Sequence, residues 1–156
     1  MSSKAQIAGH IIVYILAIVV FSLVLVYGYN AIKDFREKSD QVLYINFKTE
    51  FTSYVNSIST SKDSEKKMEF SLPSQFREVC FVDKSGVFSG TNAIVNDAAS
   101  QQSDNVFLIK HSGGPESFKV GPLYTGSITN GCTDIVNGKV KLKLIGEGDA
   151  ARVSIW

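Results

Sequence analysis

The two cysteines are the residues best suited to chemistry in this chain of 156 residues. Cys80 lies in the apolar run 79–82, and Cys132 follows Asn130-Gly131 in a segment typical of a turn. Two cysteines in a domain outside the cytosol favour one disulfide, which would close a loop of about fifty residues. The alternative is two unrelated thiols, with Cys80 buried as a small hydrophobic residue. We expect a disulfide between Cys80 and Cys132.

Other chemistry is not indicated. The two histidines, His10 and His111, are far apart in the sequence and away from the cysteines, so we expect no zinc site. The sequence has no Gly-rich phosphate loop, no nucleophile elbow and no HExxH motif. The aspartates of the C-terminal part lack the spacing of a calcium loop. We therefore expect neither an enzyme nor a cofactor.

The charges are balanced in number but unevenly placed. The chain has sixteen Lys and Arg residues and fifteen Asp and Glu residues, which gives a net charge of +1. This balance lacks the basic excess of a nucleic-acid-binding protein. Yet no Asp, Glu, Lys or Arg occurs from Ala5 to Ile32. Such a long uncharged stretch excludes a simple soluble globule and a disordered chain.

The uncharged stretch contains the apolar segment Ile7–Tyr29. As a helix it would be roughly 35 Å long, enough for the ~30 Å hydrocarbon core of a membrane. It is too long for the apolar core of a secretory signal, and no small-x-small cleavage site follows it. The lysine and arginine count of the flanks leans against a cytoplasmic N-terminus. The short N-terminal flank and the downstream cysteines favour an extracellular C-terminal part, and we adopt that orientation.

The apolar periodicity continues beyond the membrane segment. After Asn30, apolar residues recur at steps of three and four, with one stripe formed by Phe47, Phe51, Tyr54 and Ile58. No proline occurs before Pro73, so nothing obligatory breaks the helix. We expect one helix over residues 6–59, hydrophobic over 6–29 and amphipathic over 30–59. The alternative is a membrane helix followed by a separate docked helix.

The remaining residues, 60–156, follow the pattern of a small β domain. A polar loop over 57–67 leads into short apolar runs of period two. The expected strands are 68–72, 78–82, 106–110, 117–124, 139–145 and 152–156. Residues 83–86 and Asn137-Gly138 predict turns, and 91–104 is either a surface loop or a short helix. The expected class is α+β, a long N-terminal hydrophobic helix with a small C-terminal antiparallel β-sheet head.

Lys4, Ala5 and Gln6 stand directly before the apolar segment. A lysine and a small residue followed by Gln and an unbroken hydrophobic helix resemble the class III signal peptide of archaeal type IV pilin-like proteins. In that family, the pilin and archaellin superfamily, a membrane peptidase cuts after the small residue. The resemblance implies a leader over residues 1–5 and a mature chain that begins at Gln6. It also extends to the general layout of a long helix with a small β-rich head.

The resemblance implies a structural subunit that polymerises through its hydrophobic helix. The partners would be copies of the chain, the prepilin-type peptidase with the assembly machinery, and the membrane before assembly. The subunit would move from the cytoplasmic membrane to an extracellular surface filament. Pilus, archaellum and minor pilin stay open, as do roles in adhesion, motility or uptake. Residues expected to pack in the filament core are Ile11, Ile15, Ile18, Phe21 and Leu25.

One residue departs from the family pattern. Many pilins carry a glutamate as the fifth residue of the mature chain, where this sequence has His10. A neutral histidine can accept a hydrogen bond there, but it does not supply the negative charge of that glutamate. A second hypothesis, from another functional class, is a single-pass membrane-anchored protein with an extracellular β binding domain. That alternative predicts an intact Met1 and a helix that stays in lipid.

Overall fold

The computed structural model describes residues 3–83, 85–86, 88 and 90–156, with residues 3–10 and 129 described in their backbone only. Helix α1 covers Ser3–Ser59. Backbone contacts divide the chain into two units, Met1–Ser39 and Asp40–Trp156. The first unit is helical, and the second contains the end of α1 and an antiparallel-rich β region. This arrangement confirms the expected α+β class.

The second unit contains two four-stranded sheets and a short helix. The first sheet has the strand order β1-β7-β8-β5, and the second has the order β4-β3-β2-β6. All strand pairs are antiparallel except β5 with β8. The elements are β1 (Glu65–Ser71), β2 (Phe76–Phe81), α2 (Ala93–Gln101), β3 (Val106–Lys110), β4 (Glu116–Phe118), β5 (Leu123–Thr125), β6 (Cys132–Asp134), β7 (Lys139–Gly146) and β8 (Ala151–Ile155).

The expectation of one continuous strand over 117–124 is wrong. The segment forms β4 and β5 instead, and these two strands belong to different sheets. Gly121-Pro122 lies between them, and a proline cannot donate a hydrogen bond to a strand ladder. The break sends the chain from the second sheet to the first. The head therefore has two sheets where the sequence pattern indicated one.

The structure also defines three connecting segments considered in the sequence analysis. The stretch 91–104 contains helix α2, whose N-terminus is capped by the Asn92 side chain accepting a hydrogen bond from the backbone N–H of Ile94. The loop expected over 57–67 is shorter, because α1 continues to Ser59 and β1 starts at Glu65. In the turn expected over 83–86, the backbone N–H of Gly86 donates to the carbonyl of Asp83, while Lys84 lies outside the described residues.

The end of α1 supplies one wall of the main hydrophobic core. Phe47, Phe51, Val55 and Ile58 are buried in one cluster with apolar residues from strands of both sheets. The Phe47 ring meets the ring of Phe70 on β1 edge-on, with centroids 5.3 Å apart. Three residues of the expected stripe therefore form the core face, and the fourth, Tyr54, is half-buried beside it.

A second, smaller core lies on the other face of the second sheet. Val95 of α2 packs there with Cys80, Phe107 and Ile109. Strands β2 and β3 are thus covered on both faces, which explains why they read as nearly continuous apolar runs instead of alternating ones. Cys132, which forms a disulfide with Cys80, is partly buried and packs against this cluster.

Candidate functional site

The first candidate site is the apolar surface of α1. Each described side chain from Ile11 to Ser39 is exposed within this single chain. The five residues expected in a filament core, Ile11, Ile15, Ile18, Phe21 and Leu25, are between 54% and 65% exposed. By length and composition alone, this helix could cross a membrane, which is compatible with membrane anchoring.

Ser22, a polar residue within the apolar stretch, is satisfied within the helix. Its hydroxyl donates a hydrogen bond to the carbonyl oxygen of Ile18, at 2.8 Å. A helix also pairs its own backbone groups, so the backbone of the apolar stretch can enter an apolar environment. Removing its apolar surface from water would contribute about 25 cal/mol per Å². The segment is therefore suited to lipid or to other apolar helices.

The residues expected to form a processing motif lie in the first turns of α1. Lys4, Ala5 and Gln6 are helical in their backbone. Their side chains, like the side chain of His10, belong to the part of the chain outside the description. The structure thus places the motif directly before the apolar segment, as the sequence does.

The two cysteines form a disulfide with an S–S distance of 2.03 Å. Cys80 on β2 lies directly opposite Cys132 on β6, so the bond joins neighbouring strands of the second sheet. A carboxylate oxygen of Glu78 lies within 4.8 Å of both sulfur atoms, a spacing that would suit a metal ion. Because the sulfurs are bonded to each other, they are not the thiolates that a metal requires. The disulfide is therefore a structural link.

The outer face of the first sheet carries a ladder of ion pairs. Lys139 lies 2.6 Å from a carboxylate oxygen of Glu69, and Lys143 lies 2.8 Å from one of Glu65. The hydrogen bonds from these lysines lower the pKa of both glutamate side chains below the ordinary value of 4.5. The alternation of lysines along β7 indicated an exposed face, but it did not show their partners on β1.

The second candidate site is a groove of about 490 Å³ on this side of the head, which we call the Trp156 groove. Trp156 is 48% exposed, and the ammonium groups of Lys141 and Lys67 lie 5.2 Å and 5.6 Å from the centroid of its ring. The indole Nε1 donates to the carbonyl of Met68 at 3.3 Å. Polar side chains that line the groove are Glu69, Thr133, Asp134, Asn137 and Lys139.

Sequence reasoning did not find this groove. Its walls come from β1, β6, β7, the turn after β6 and the segment that ends at Trp156. The sequence showed the alternating lysines of residues 139–143 and the single tryptophan, but as separate features. Their convergence depends on strand order, which no local pattern encodes.

No family model, curated protein or solved structure matches the chain.

Proposed function

We propose that this chain is the structural subunit of an archaeal type IV pilus-like surface filament. The observation that carries the proposal is the exposed apolar surface of α1 from Ile11 to Tyr29, on the same chain as a folded β head. A soluble protein would bury such a surface inside its own fold. Here each described side chain of that segment is exposed, so the partner must come from outside the chain.

Two environments can cover this surface in turn. Lipid covers it in the precursor, where the helix spans the cytoplasmic membrane. Other copies of the same helix cover it in the filament, where the side chains of Ile11, Ile15, Ile18, Phe21 and Leu25 pack between subunits. At about 25 cal/mol per Å² of apolar surface removed from water, a bundle of such helices is strongly stabilised. One segment thus serves both stages.

The end of α1 is an integral part of the head. Phe47, Phe51 and Val55 are buried in the main core of the head. The Cys80–Cys132 disulfide suits an oxidising compartment outside the cytosol. Both features are expected of a subunit whose head faces outward from a filament.

The precursor would be cleaved at the motif that stands directly before the apolar segment. We place the cut between Ala5 and Gln6, made by a prepilin-type peptidase. The hydrophobic helix would remain in the mature subunit. The finer identity, as a pilus, archaellum or minor subunit, follows from neither the motif nor the fold.

The direct test is N-terminal mass spectrometry on protein sheared from the surface of the native cell. We expect a chain that begins at Gln6, including the form in which an N-terminal glutamine has lost ammonia by cyclisation. A matched pair of variants sharpens the test. Ala5→Phe should block the cut and abolish surface filaments, while Ser3→Ala should leave both intact. A chain that still begins at Met1 and is recovered only from membranes would reject the filament.

The second candidate function is a single-pass membrane protein with an extracellular binding domain. The Trp156 groove favours it, because a concave site with an exposed aromatic ring is a common feature of binding domains. In that case α1 would stay in lipid and Met1 would be retained. The same mass spectrometry therefore separates the two candidates.

A further inference from the structure

We propose that the free edge of strand β1 pairs antiparallel with the same edge of a second copy of this chain. Within the described residues the two sheets end in four edge strands. Three of them, β4, β5 and β6, have three residues each, whereas β1 has seven. A long strand with an unpaired edge is a template for another strand. The edge of β1 is therefore the one best suited to pairing.

The backbone groups on this edge belong to the odd-numbered residues of β1. At one end of the strand Gly146 donates its N–H to the carbonyl of Ser64, and at the other end Leu72 donates to the carbonyl of Gly138. Backbone groups alternate in direction along an antiparallel strand, so the even-numbered residues between these ends face β7. The residues that face away from β7 are Glu65, Lys67, Glu69 and Ser71, and all four are exposed.

The side chains of these four residues share the outer face of the sheet, in the order acid, base, acid, hydroxyl. A two-fold pairing centred on Met68 places Lys67 of each copy directly opposite Glu69 of the other. The same register places Glu65 opposite Ser71, so like charges do not meet on this face. Opposite charges directly across two antiparallel strands stabilise the pair.

The neighbouring registers are disfavoured by the same charges. A register centred on Lys67 sets the two Lys67 side chains against each other and Glu65 against Glu69. A register centred on Glu69 opposes the two Glu69 carboxylates. Like charges directly opposite each other are destabilising. Charged residues on an edge strand usually prevent pairing, but here they favour one register with a second copy over an arbitrary extended peptide.

The two charged groups of the central pair are available for it. The ammonium group of Lys67 lies 5.6 Å from the centroid of the Trp156 ring, and the structure places no described carboxylate oxygen within 4.0 Å of it. Glu69 already contacts Lys139 at 2.6 Å and Lys141 at 3.8 Å. An ionised carboxylate has about four acceptor positions, so Glu69 can accept a further hydrogen bond from the second copy.

A single contact of this kind is small. Two paired strands of seven residues form about eight main-chain hydrogen bonds and bury less surface than a standard protein interface. Copies held close together in a filament or in a membrane would pair more often, because their effective concentration is high. A two-fold contact also closes after two copies, so it is separate from polymerisation through α1. The proposal thus holds for a filament subunit and for an anchored protein alike.

The test is disulfide trapping with the full chain, in enough detergent for each micelle to hold one chain. Lys67→Cys and Glu69→Cys are prepared separately and mixed under a mild oxidant. In the proposed register the two new thiols are opposite each other, with about 5.5 Å between Cα atoms, a distance that a disulfide can span. The mixture should form a dimer roughly fivefold faster than either variant alone. The background rate comes from a mixture of Ser112→Cys and Lys119→Cys, which are exposed positions outside β1.

A second change tests whether the backbone takes part. Ser71→Pro, added to both variants, removes an N–H that points away from β7 and leaves the bond from Leu72 to Gly138 in place. We expect the mixed dimer to form several-fold more slowly. An excess of the peptide Glu65–Ser71 should also slow it, whereas a peptide with the same residues in scrambled order should not.

Four results would overturn the proposal. A mixed dimer that forms no faster than the background would show that the edge does not pair. Equally fast linking of Lys67→Cys with itself would indicate another register. An unchanged rate with Ser71→Pro would exclude strand pairing. Equal competition by the scrambled peptide would assign the edge to extended peptides in general. None of these results depends on cleavage before Gln6, so the test is independent of the filament proposal.

Discussion

The indole Nε1 of Trp156 donates a hydrogen bond to the backbone carbonyl oxygen of Met68, at 3.3 Å. Met68 lies on β1 and Trp156 follows β8, and β7 runs between these two strands. The bond therefore ties three strands of the first sheet across their outer side. The same ring forms a wall of the groove, so sheet stability and groove shape depend on one side chain.

Trp156→Phe should lower the free energy of unfolding of the head by about 0.5–1.5 kcal/mol, because it keeps an aromatic ring and removes the bond to Met68. Calorimetric unfolding in detergent measures the change. Tyr29→Phe, at an exposed position of α1 in the first unit, serves as the control and should leave the unfolding of the head unchanged. No loss in Trp156→Phe would mean that the hydrogen bond contributes nothing to the sheet.

Removal of the disulfide should destabilise the head more strongly. The bond joins residues 52 positions apart, and on the chain-entropy model such a loop contributes ~4 kcal/mol. The double variant Cys80→Ala/Cys132→Ala should lose about 2–5 kcal/mol in denaturant unfolding. A reductant should shift the unfolding curve of the wild type and leave that of the variant unchanged. Equal stability of the two proteins would contradict the structural role of the bond.

Gly146 should not tolerate a larger residue. A methyl group at Gly146 would overlap the carbonyl oxygens of Ile58 and Ser61, where the end of α1 meets β7. Its backbone also bonds to Asp63 and Ser64, so it cannot move away freely. We expect Gly146→Ala to cost about 1–3 kcal/mol.

The matched control for this glycine is Gly114→Ala. A methyl group at Gly114 meets no atom within 4 Å, so its effect should stay within about 0.5 kcal/mol. Denaturant unfolding followed by Trp156 fluorescence measures both variants. Equal effects at the two glycines would show that the contact between α1 and β7 is not tight.

The two parts of α1 should respond differently to loss of an aromatic ring. Phe51 is fully buried in the head core, and Phe35 is 75% exposed. Phe51→Ala should cost the head about 3–5 kcal/mol, whereas Phe35→Ala should change its stability by less than about 0.5 kcal/mol. Thermal unfolding in detergent measures both. A large loss of head stability in Phe35→Ala would show that Phe35 has a partner within the chain.

Acidification should weaken the first sheet through Glu65 and Glu69. Lysine hydrogen bonds lower the pKa of both carboxyl groups below 4.5, so the folded state holds these protons less tightly than the unfolded state. Their contribution to stability is present above the ordinary pKa and is lost as pH falls through the lowered values. Both groups are solvent-exposed, so salt should reduce the effect.

The measurement is the free energy of unfolding at neutral pH and below pH 4.5, the ordinary glutamate value. The double variant Glu65→Gln/Glu69→Gln should lose less stability on acidification than the wild type does. Glu50→Gln, at an exposed position of α1, is the control and should behave as the wild type. Identical acid sensitivity of the double variant and the wild type would show that these pairs do not stabilise the sheet.

Local patterns were sufficient to predict the helix and one turn. The spacing of Phe47, Phe51 and Ile58 indicated the face that the structure buries. The Asn137-Gly138 pair forms the expected tight turn, with positive φ at both residues and mutual backbone hydrogen bonds between Val136 and Lys139. In both cases the information lies within a few residues of the chain, so the sequence contains it directly.

Strand partners were not predictable in this way. The Asn137-Gly138 turn joins β6 to β7, but β6 pairs with β2 in one sheet and β7 pairs with β1 and β8 in the other. Nothing in the alternation of apolar and polar residues distinguishes this arrangement from an ordinary hairpin. The Trp156 groove depends on the same long-range choices, because Trp156 and Met68 are 88 residues apart.

The Cys80–Cys132 bond also closes a covalent ring, which contains α2, β3, β4 and β5. A protease that nicks the backbone inside this ring, for example after the exposed Lys119, leaves both pieces joined through sulfur. A nick at the exposed Lys62, outside the ring, leaves α1 held to the rest of the head by non-covalent packing alone. A single backbone cut within residues 80–132 therefore leaves all fragments covalently joined, whereas a cut at the junction with the helix does not.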